Sequence, residues 1–379
     1  MKFAFATTFD AHDVSYWSGT PFYMAEGFTQ QGINVEYVGN LKRHLPPYFK
    51  FKQFWKKIAC GQRESPRFNT FVAQQYSQQV AEKLRKSDVD AVISPLLNPI
   101  AYLECKQPII LWTDALYASL LGFYSGFSSH SARSIQQGNL LTKECLARCK
   151  LAIFSSEWAA RTALEIYGAS KEKVKIVPFG ANIQCHHTIE DIRTFLQSRS
   201  RNILKFLFLG KHWTRKGGDI VFDVVKALHA AGQAVELNFI GCYPPDNVEI
   251  PDYIKCHGFI SKRTAEGVEK ITRLLQESHF LFVPSRAECY GIVFAEANAF
   301  GLPCLTSYVG GIPTVVKDHI NGMTFALDAS TEAYCDYILK LVENYHEYEK
   351  LALSAFHEYQ TRLNWNIATQ SVIQLIRDN

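Results

Sequence analysis

None of the ten cysteines falls in a C-x-x-C pair, and Cys145 and Cys149, four apart, do not have a zinc spacing. Scattered thiols in a chain this long read as reduced cysteines of a cytosolic compartment. No run of about 20 apolar residues occurs, so nothing is expected to span a membrane. The apolar start of MKFAFATTFDAHD is too short for a signal peptide, and Asp10 interrupts it. There is no G-x-G-x-x-G and no P-loop, which leaves dehydrogenase and kinase readings without support. There is no G-x-S-x-G elbow either. The net charge is only +4, too small an excess to imply nucleic acid. No low-complexity tract is present.

With 379 residues the chain is too long for one ordinary core. Short apolar runs (KFAFATT, INVEYV, DAVISPL, PIILWTD, KLAIFSS) alternate with longer amphipathic segments, the pattern of a parallel sheet with crossover helices. VKIVPFGAN closes this first series. A second series follows: KFLFLG, AVELNFIG, YIKCHGF, HFLFVPS, LPCLTS. The expectation is an α/β chain with a first Rossmann-like domain over 1–183 and a polar connection over 184–202. A second domain covers 203–359, and a helix over about 360–379 crosses back onto the first. Two such sheets facing each other would set their binding edges across a cleft.

The most informative stretch is SRAECYGIVFAEANAFGLP, Ser285 to Pro303. A strand ends before it, Arg286 to Tyr290 form a loop, and Gly291 opens a helix. The first turn of a helix offers free N–H groups and a partial positive charge, suited to a diphosphate. Glycine lets a phosphate approach the main chain. Glu288 precedes the turn and Glu296 lies further into the helix. One carboxylate would reach the hydroxyls of a sugar, the other those of a ribose. In FLGKHWTRKGGD, Leu207 to Asp219, Lys211, Arg215 and Lys216 crowd a strand-to-helix loop, where cations suit a pyrophosphate leaving group.

The Glu288-x7-Glu296 pair resembles the signature of retaining GT-B glycosyltransferases of family 4, the group 1 domain. The similarity continues through Gly301-Leu302-Pro303 and Gly310-Gly311 to GMTF, and includes VKIVPFGAN. It implies a GT-B architecture and a nucleotide-diphosphate sugar donor. It also implies transfer with retention by front-face attack, with the leaving phosphate as base, and no essential metal or other cofactor. By position, Lys216 and Lys211 would hold the donor phosphates with the main chain of Gly291, Ile292 and Val293, next to Tyr290. Lys211 stands where the family has arginine; it lacks the planar fork, so Arg215 shares the task. Glu288 would position the sugar and Glu296 the ribose. Gly258, Phe259 and Ile260 lie where the family's base-binding loop is.

Two first-domain segments extend the resemblance. Trp17-Ser18-Gly19-Thr20-Pro21 matches a glycine-containing loop that covers phosphate and sugar. A plain capping turn with Thr20 as N-cap and Pro21 at the first helical position would look similar. In LWTDALY many family members carry a histidine that faces the donor sugar; this chain has Thr113 and Asp114. Asp114 either binds sugar or acceptor hydroxyls or caps a helix. His12 is more readily structural than catalytic.

Residues 42–67 are basic, with Phe51, Phe54, Trp55 and Ile58 at helical spacing. Either a core-packed helix shows a solvated basic face, or the segment touches an anionic membrane or a lipid-linked acceptor. The second option would place a cytoplasmic protein at the inner face of the membrane. Asp88-Val89-Asp90 spells a metal motif of another glycosyltransferase fold, but in a strand-entry context. The expected function is transfer to a glycan or lipid-linked acceptor, as in polysaccharide assembly. The alternative is a catalytically degenerate GT-B partner of another enzyme. Phosphorylases of this fold are larger, and no lysine stands out for a pyridoxal cofactor.

Overall fold

The computed structural model describes residues 1–44 and 68–379. They divide into two compact units, Met1–Pro178 with Ala368–Asn379, and Phe179–Ile367.

The first unit is built on six strands: β1 (Lys2–Ala6), β2 (Asn34–Val38), β3 (Ala91–Ser94), β4 (Ile109–Thr113), β5 (Leu151–Phe154) and β6 (Val174–Ile176). All pair in parallel, in the order β2-β1-β3-β4-β5-β6. Every residue of β3, β4 and β5 is buried. Helices cover both faces of such a sheet, which is why these strands read as continuous apolar runs rather than alternating ones. The helices begin where short polar side chains accept from exposed N–H groups. Asn69 caps Thr70–Leu84, Ser131 caps Ala132–Arg148 and Ser156 caps Glu157–Arg161. Thr369 Oγ1, near the C-terminus, donates to the Gly27 carbonyl at 3.1 Å, so the end of the chain packs within this unit.

The turn after β1 differs from expectation. Thr20 is not the N-cap of the helix Thr20–Gln30; it is its first residue, and Gly19 is the cap, at φ 86°. Trp17 and Ser18 also have positive φ, 47° and 56°. These left-handed residues turn the chain onto the helix axis, so Thr20 already has helical angles.

The second unit repeats the plan. Its strands are β7 (Leu204–Leu209), β8 (Val235–Ile240), β9 (Ile254–Gly258), β10 (Phe280–Val283), β11 (Cys304–Ser307) and β12 (Gly322–Phe325), parallel in the order β12-β11-β10-β7-β8-β9. Strand β12 is additional to those anticipated from sequence. Phe206, Phe208, Phe239, Phe280 and Phe282 are wholly buried, and Phe208 stacks on Phe239 with ring centres 4.0 Å apart. The strand order reverses between β7 and β10, and the connections leave to opposite sides there. A crevice therefore opens beyond their C-terminal ends.

The segment 184–202 does more than connect. It carries the helix Ile189–Ser198, capped by Thr188, and then Arg199. Arg199 is buried and donates to the carbonyls of Gln276, Phe300 and Gly301, each at 3.1 Å, and to Tyr348 Oη at 2.7 Å. These bonds fasten the segment into the second unit. Of the basic stretch 42–67, Lys42 and Arg43 are described, and residues 45–67, with the apolar face from Phe51 to Ile58, lie outside the described residues. Among the described residues no helix is long and apolar enough to cross a membrane.

Candidate functional site

Two loops meet at the crevice of the second unit. The first follows β7: Gly210 to His212, the single turn Trp213–Lys216, then Gly217 and the helix Gly218–Ala230. The second follows β10 and runs from Pro284 to Gly291, where φ is 91° and the helix Ile292–Asn298 begins. Gly217, at φ 73°, lies against the second loop, and a Cβ there would come within 2.2 Å of the Pro284 carbonyl oxygen. The main chains are bonded, Arg286 N to Arg215 O at 2.8 Å. Side chains bind in both directions. Arg215 Nη1 donates to the Ala287 carbonyl at 2.9 Å, and Arg286 Nη1 to the Thr214 carbonyl at 2.7 Å. Arg286 also grips Asp219 by two bonds, at 2.7 and 2.6 Å.

This docking brings Lys216 and Glu288, 72 positions apart, into a direct ion pair. Arg215 Nη1 stands 3.4 Å from the same carboxylate oxygen. Lys216 and Glu288 are nearly enclosed, with side chains 11% and 13% exposed. Two cations against one carboxylate leave a positive excess at the end of β7, where an anion is stabilised. The same field acts on His212: burial, then Arg215, Lys216 and Lys211, hold its imidazole below the ordinary histidine range. The Glu288 carbonyl accepts from Gly311 N at 3.1 Å, which ties the Gly310-Gly311 turn to the site.

Glu296 lies on the helix Ile292–Asn298 and is almost wholly buried. Its Oε1 accepts from Lys262 Nζ at 2.6 Å. Burial pushes its carboxyl above the ordinary range, and Lys262 pulls the other way. Lys262 belongs to the loop that follows β9, as do Phe259 and Ile260. Phe259 is 65% exposed, and Lys211 Nζ lies 5.0 Å from its ring centre, a cation–π contact. Beneath them, three strand ends touch by main chain. Gly210 N donates to the Ile240 carbonyl at 2.9 Å and Gly241 N to the Gly258 carbonyl at 2.8 Å. A Cβ on Gly241 would lie 2.4 Å from the Gly210 oxygen, so this floor is bare backbone.

The structure thus gathers Lys216, Arg215 and Glu288, and joins Glu296 to a residue that sequence reading did not select. Lys211 is not at the Glu288 carboxylate; its contact among the described residues is the Phe259 ring. Tyr290 is turned inward: it is buried, and its hydroxyl donates to the Phe179 carbonyl at 2.6 Å. Val293 is buried in the first helical turn beside Ile292, and Phe294 N bonds back to Gly291 O at 3.0 Å. In the first unit, Gly19 caps its helix, and Asp114 follows β4, partly exposed. Asp114 is not an N-cap, since the next helix, Tyr117–Leu120, is entered from Leu116. His12 Nδ1 is 2.9 Å from Asp10 Oδ1, a local pair. Asp90 accepts from Lys2 N at 2.7 Å, which accounts for one carboxylate of the D-x-D. Lys262, Arg286 and Asp219 were missed because their partners lie far off in sequence.

Residues 204–344 match the family model described as Glycosyl transferases group 1. The match lies within the second unit, and the two six-stranded sheets are those of the GT-B fold. Sucrose-phosphate synthase of Thermosynechococcus elongatus superimposes with a TM-score of 0.71 at 15% identity, over 100% of this chain and 98% of that one. Anabaena HepE in complex with UDP-glucose gives 0.63 at 16% identity, over the whole of both chains. At these identities the likeness shows the fold. By sequence, the D-inositol 3-phosphate glycosyltransferase of Nocardia farcinica is 24% identical over 193 residues, 48% of this chain and 42% of that protein. The chain spans about two fifths of the length of the first curated relatives it matches.

Proposed function

We propose that the protein is a retaining glycosyltransferase. It moves a sugar from a nucleotide-diphosphate sugar to a glycan or lipid-linked acceptor, with no metal ion. The observation that carries this reading is the convergence of Lys216 and Arg215 on Glu288 at the switch point between β7 and β10, inside the matched region. HepE, of the same fold, was solved with UDP-glucose.

In this reading the donor diphosphate takes up the positive excess of Lys216 and Arg215, with Lys211 at its edge and the main chain of Gly291, Ile292 and Val293 near by. As the bond from the anomeric carbon to the diphosphate breaks, these groups stabilise the charge on the leaving oxygen. The acceptor hydroxyl attacks from the same face and passes its proton to that oxygen. Glu288, held by two cations, orients the sugar hydroxyls. Glu296 receives the ribose hydroxyls. Gly258, Phe259 and Ile260 meet the base. Asp114 offers a carboxylate to sugar or acceptor hydroxyls.

Thermal-shift screening against UDP-, GDP- and ADP-sugars, with and without EDTA, tests the donor site. A ligand at 100 times its Kd stabilises by roughly 2.7 kcal/mol. A shift with one nucleotide, indifferent to EDTA, supports the reading and names the base. No shift with any donor in folded protein favours a degenerate binding partner. Glu288→Ala should lower turnover at least ~10²-fold; unchanged turnover rejects the assignment. The anomeric configuration of the product, read by NMR, decides retention.

A further inference from the structure

We propose that Lys262 is a positioning residue that holds the Glu296 carboxylate ionised and aimed at the donor's ribose hydroxyls. This rests on the role given to Glu296 above. The geometry is specific. The Glu296 side chain is 4% exposed, on a helix whose adjoining residues are Phe294, Ala295, Ala297 and Asn298. Such surroundings favour the neutral acid, since a buried carboxylate without a cation takes up a proton. Lys262 supplies the cation, at 2.6 Å from Oε1. Among the described residues no other charged group acts on Glu296. Lys262 engages one carboxylate oxygen, and Oε2 is left to accept from a ligand.

A ribose diol donates hydrogen bonds, and an ionised carboxylate accepts them better than a carboxylic acid does. Removing the ammonium would therefore weaken the nucleotide without touching it, and the loss would depend on pH. Lys262 is itself 37% exposed, so its replacement leaves the core intact. Lys262 also lies two residues beyond Ile260, so the loop proposed to meet the base is bonded to the carboxylate proposed to meet the ribose.

The test is calorimetric titration of the full chain with UDP, GDP and ADP, then with whichever binds, from pH 6 to pH 9. The proteins are wild type, Glu296→Gln, Lys262→Met and Lys262→Arg, each compared with wild type at the same pH. Glu296→Gln should bind about 10-fold more weakly at every pH, the scale of a charged hydrogen bond. Lys262→Met should match that loss at low pH and recover toward wild type at high pH, where Glu296 ionises unaided. Lys262→Arg should stay close to wild type throughout. A Lys262→Met protein equal to wild type, beside a weakened Glu296→Gln, overturns the proposal and leaves the ribose role standing. A Lys262→Met loss that does not vary with pH also overturns it. Glu296→Gln equal to wild type overturns the ribose role and the proposal together. A wild type that binds none of the three nucleotides overturns the donor-site reading on which both rest.

Discussion

Arg286 and Asp219 face each other fork to fork, Nη1 to Oδ1 at 2.7 Å and Nη2 to Oδ2 at 2.6 Å. The pair joins the loop after β10 to the first turn of the helix Gly218–Ala230, beside Lys216 and Glu288. Its side chains are about 40% exposed, a setting in which an ion pair adds at most about 1 kcal/mol to stability. Its effect on the site should be larger than its effect on the fold. We expect Arg286→Met and Asp219→Asn to lower turnover roughly 10-fold, because a small misplacement of reacting groups is costly. Tm should change little. Kinetics and thermal unfolding of the same preparations check this, and equal turnover in the variants would refute it.

Gly217→Ala should be among the more damaging single-methyl changes in the chain. The new Cβ meets the Pro284 carbonyl, and the residue holds a left-handed φ of 73°. Strain of that kind costs on the order of 1–3 kcal/mol before any clash is counted. Gly232→Ala is the control: φ is 88° but nothing lies within 4 Å of the added carbon. Urea unfolding should show the larger loss at Gly217. Only that variant should also lose activity, since only it separates the two loops.

His279 makes stability depend on acid. Burial, aided by Arg199, pulls its imidazole down to about 4. Its ring is held neutral between Lys205 N at 3.0 Å and the Ser200 carbonyl at 2.9 Å. An unfolded histidine titrates near 6.5, so between about 6.5 and 4 the unfolded chain binds the extra proton. Stability from this residue is complete above pH 6.5 and falls as pH drops toward 4, by about 3 kcal/mol in all. His279→Gln should be less stable at pH 7 but show a flatter dependence from pH 7 to pH 5. An unchanged slope in denaturant titrations would contradict the assignment.

Arg199→Met should destabilise the second unit strongly. It removes the donor that serves the Phe300 and Gly301 carbonyls in buried bonds, the Gln276 carbonyl in a part-buried one, and the Tyr348 hydroxyl. Buried acceptors left without a donor cost about 1–3 kcal/mol each, less what water recovers. A total loss of about 3–5 kcal/mol is expected, read from urea unfolding. A loss under about 1 kcal/mol, the size typical of surface changes, would count against this view of the segment.

Most strands were legible because a doubly covered parallel strand must be apolar throughout, and IILWT or FLFV has no other comfortable place. β12 was not. Gly-Met-Thr-Phe is short, and it becomes a strand through pairing with β11, where a Cβ at Gly322 would lie 2.1 Å from the Cys304 carbonyl. Lys216 and Glu288 could be found because each stands in a glycine-marked strand-to-helix turn. Lys262 and Glu296 are 34 positions apart, and Asp219 and Arg286 are 67 apart. Spacing carries no trace of such pairs; only the sheet order brings them together. Tyr290, which the resemblance sets next to the donor phosphates, also packs its ring on Phe179, 5.3 Å away between centres, a contact that spacing does not reveal. The cap before Thr20 moved by one residue because a left-handed turn over Trp17–Gly19 has no composition signal beyond its glycine.

The backbone floor made by Gly210, Gly241 and Gly258 sets a limit on redesign. A pocket lined by side chains can be retuned one substitution at a time. Here the wall is main chain, and a methyl added to Gly241 strikes the Gly210 carbonyl before it can reach a ligand. Amides also present the same donors and acceptors whatever the neighbouring sequence. If the loop after β9 meets the base as proposed, a change of nucleotide preference would have to be made at the margin, on Lys211, Phe259 and Tyr243, the last exposed beside Gly258. Mutational libraries aimed at this rim should yield altered selectivity with folding preserved, and substitutions at Gly241 should yield unfolded protein.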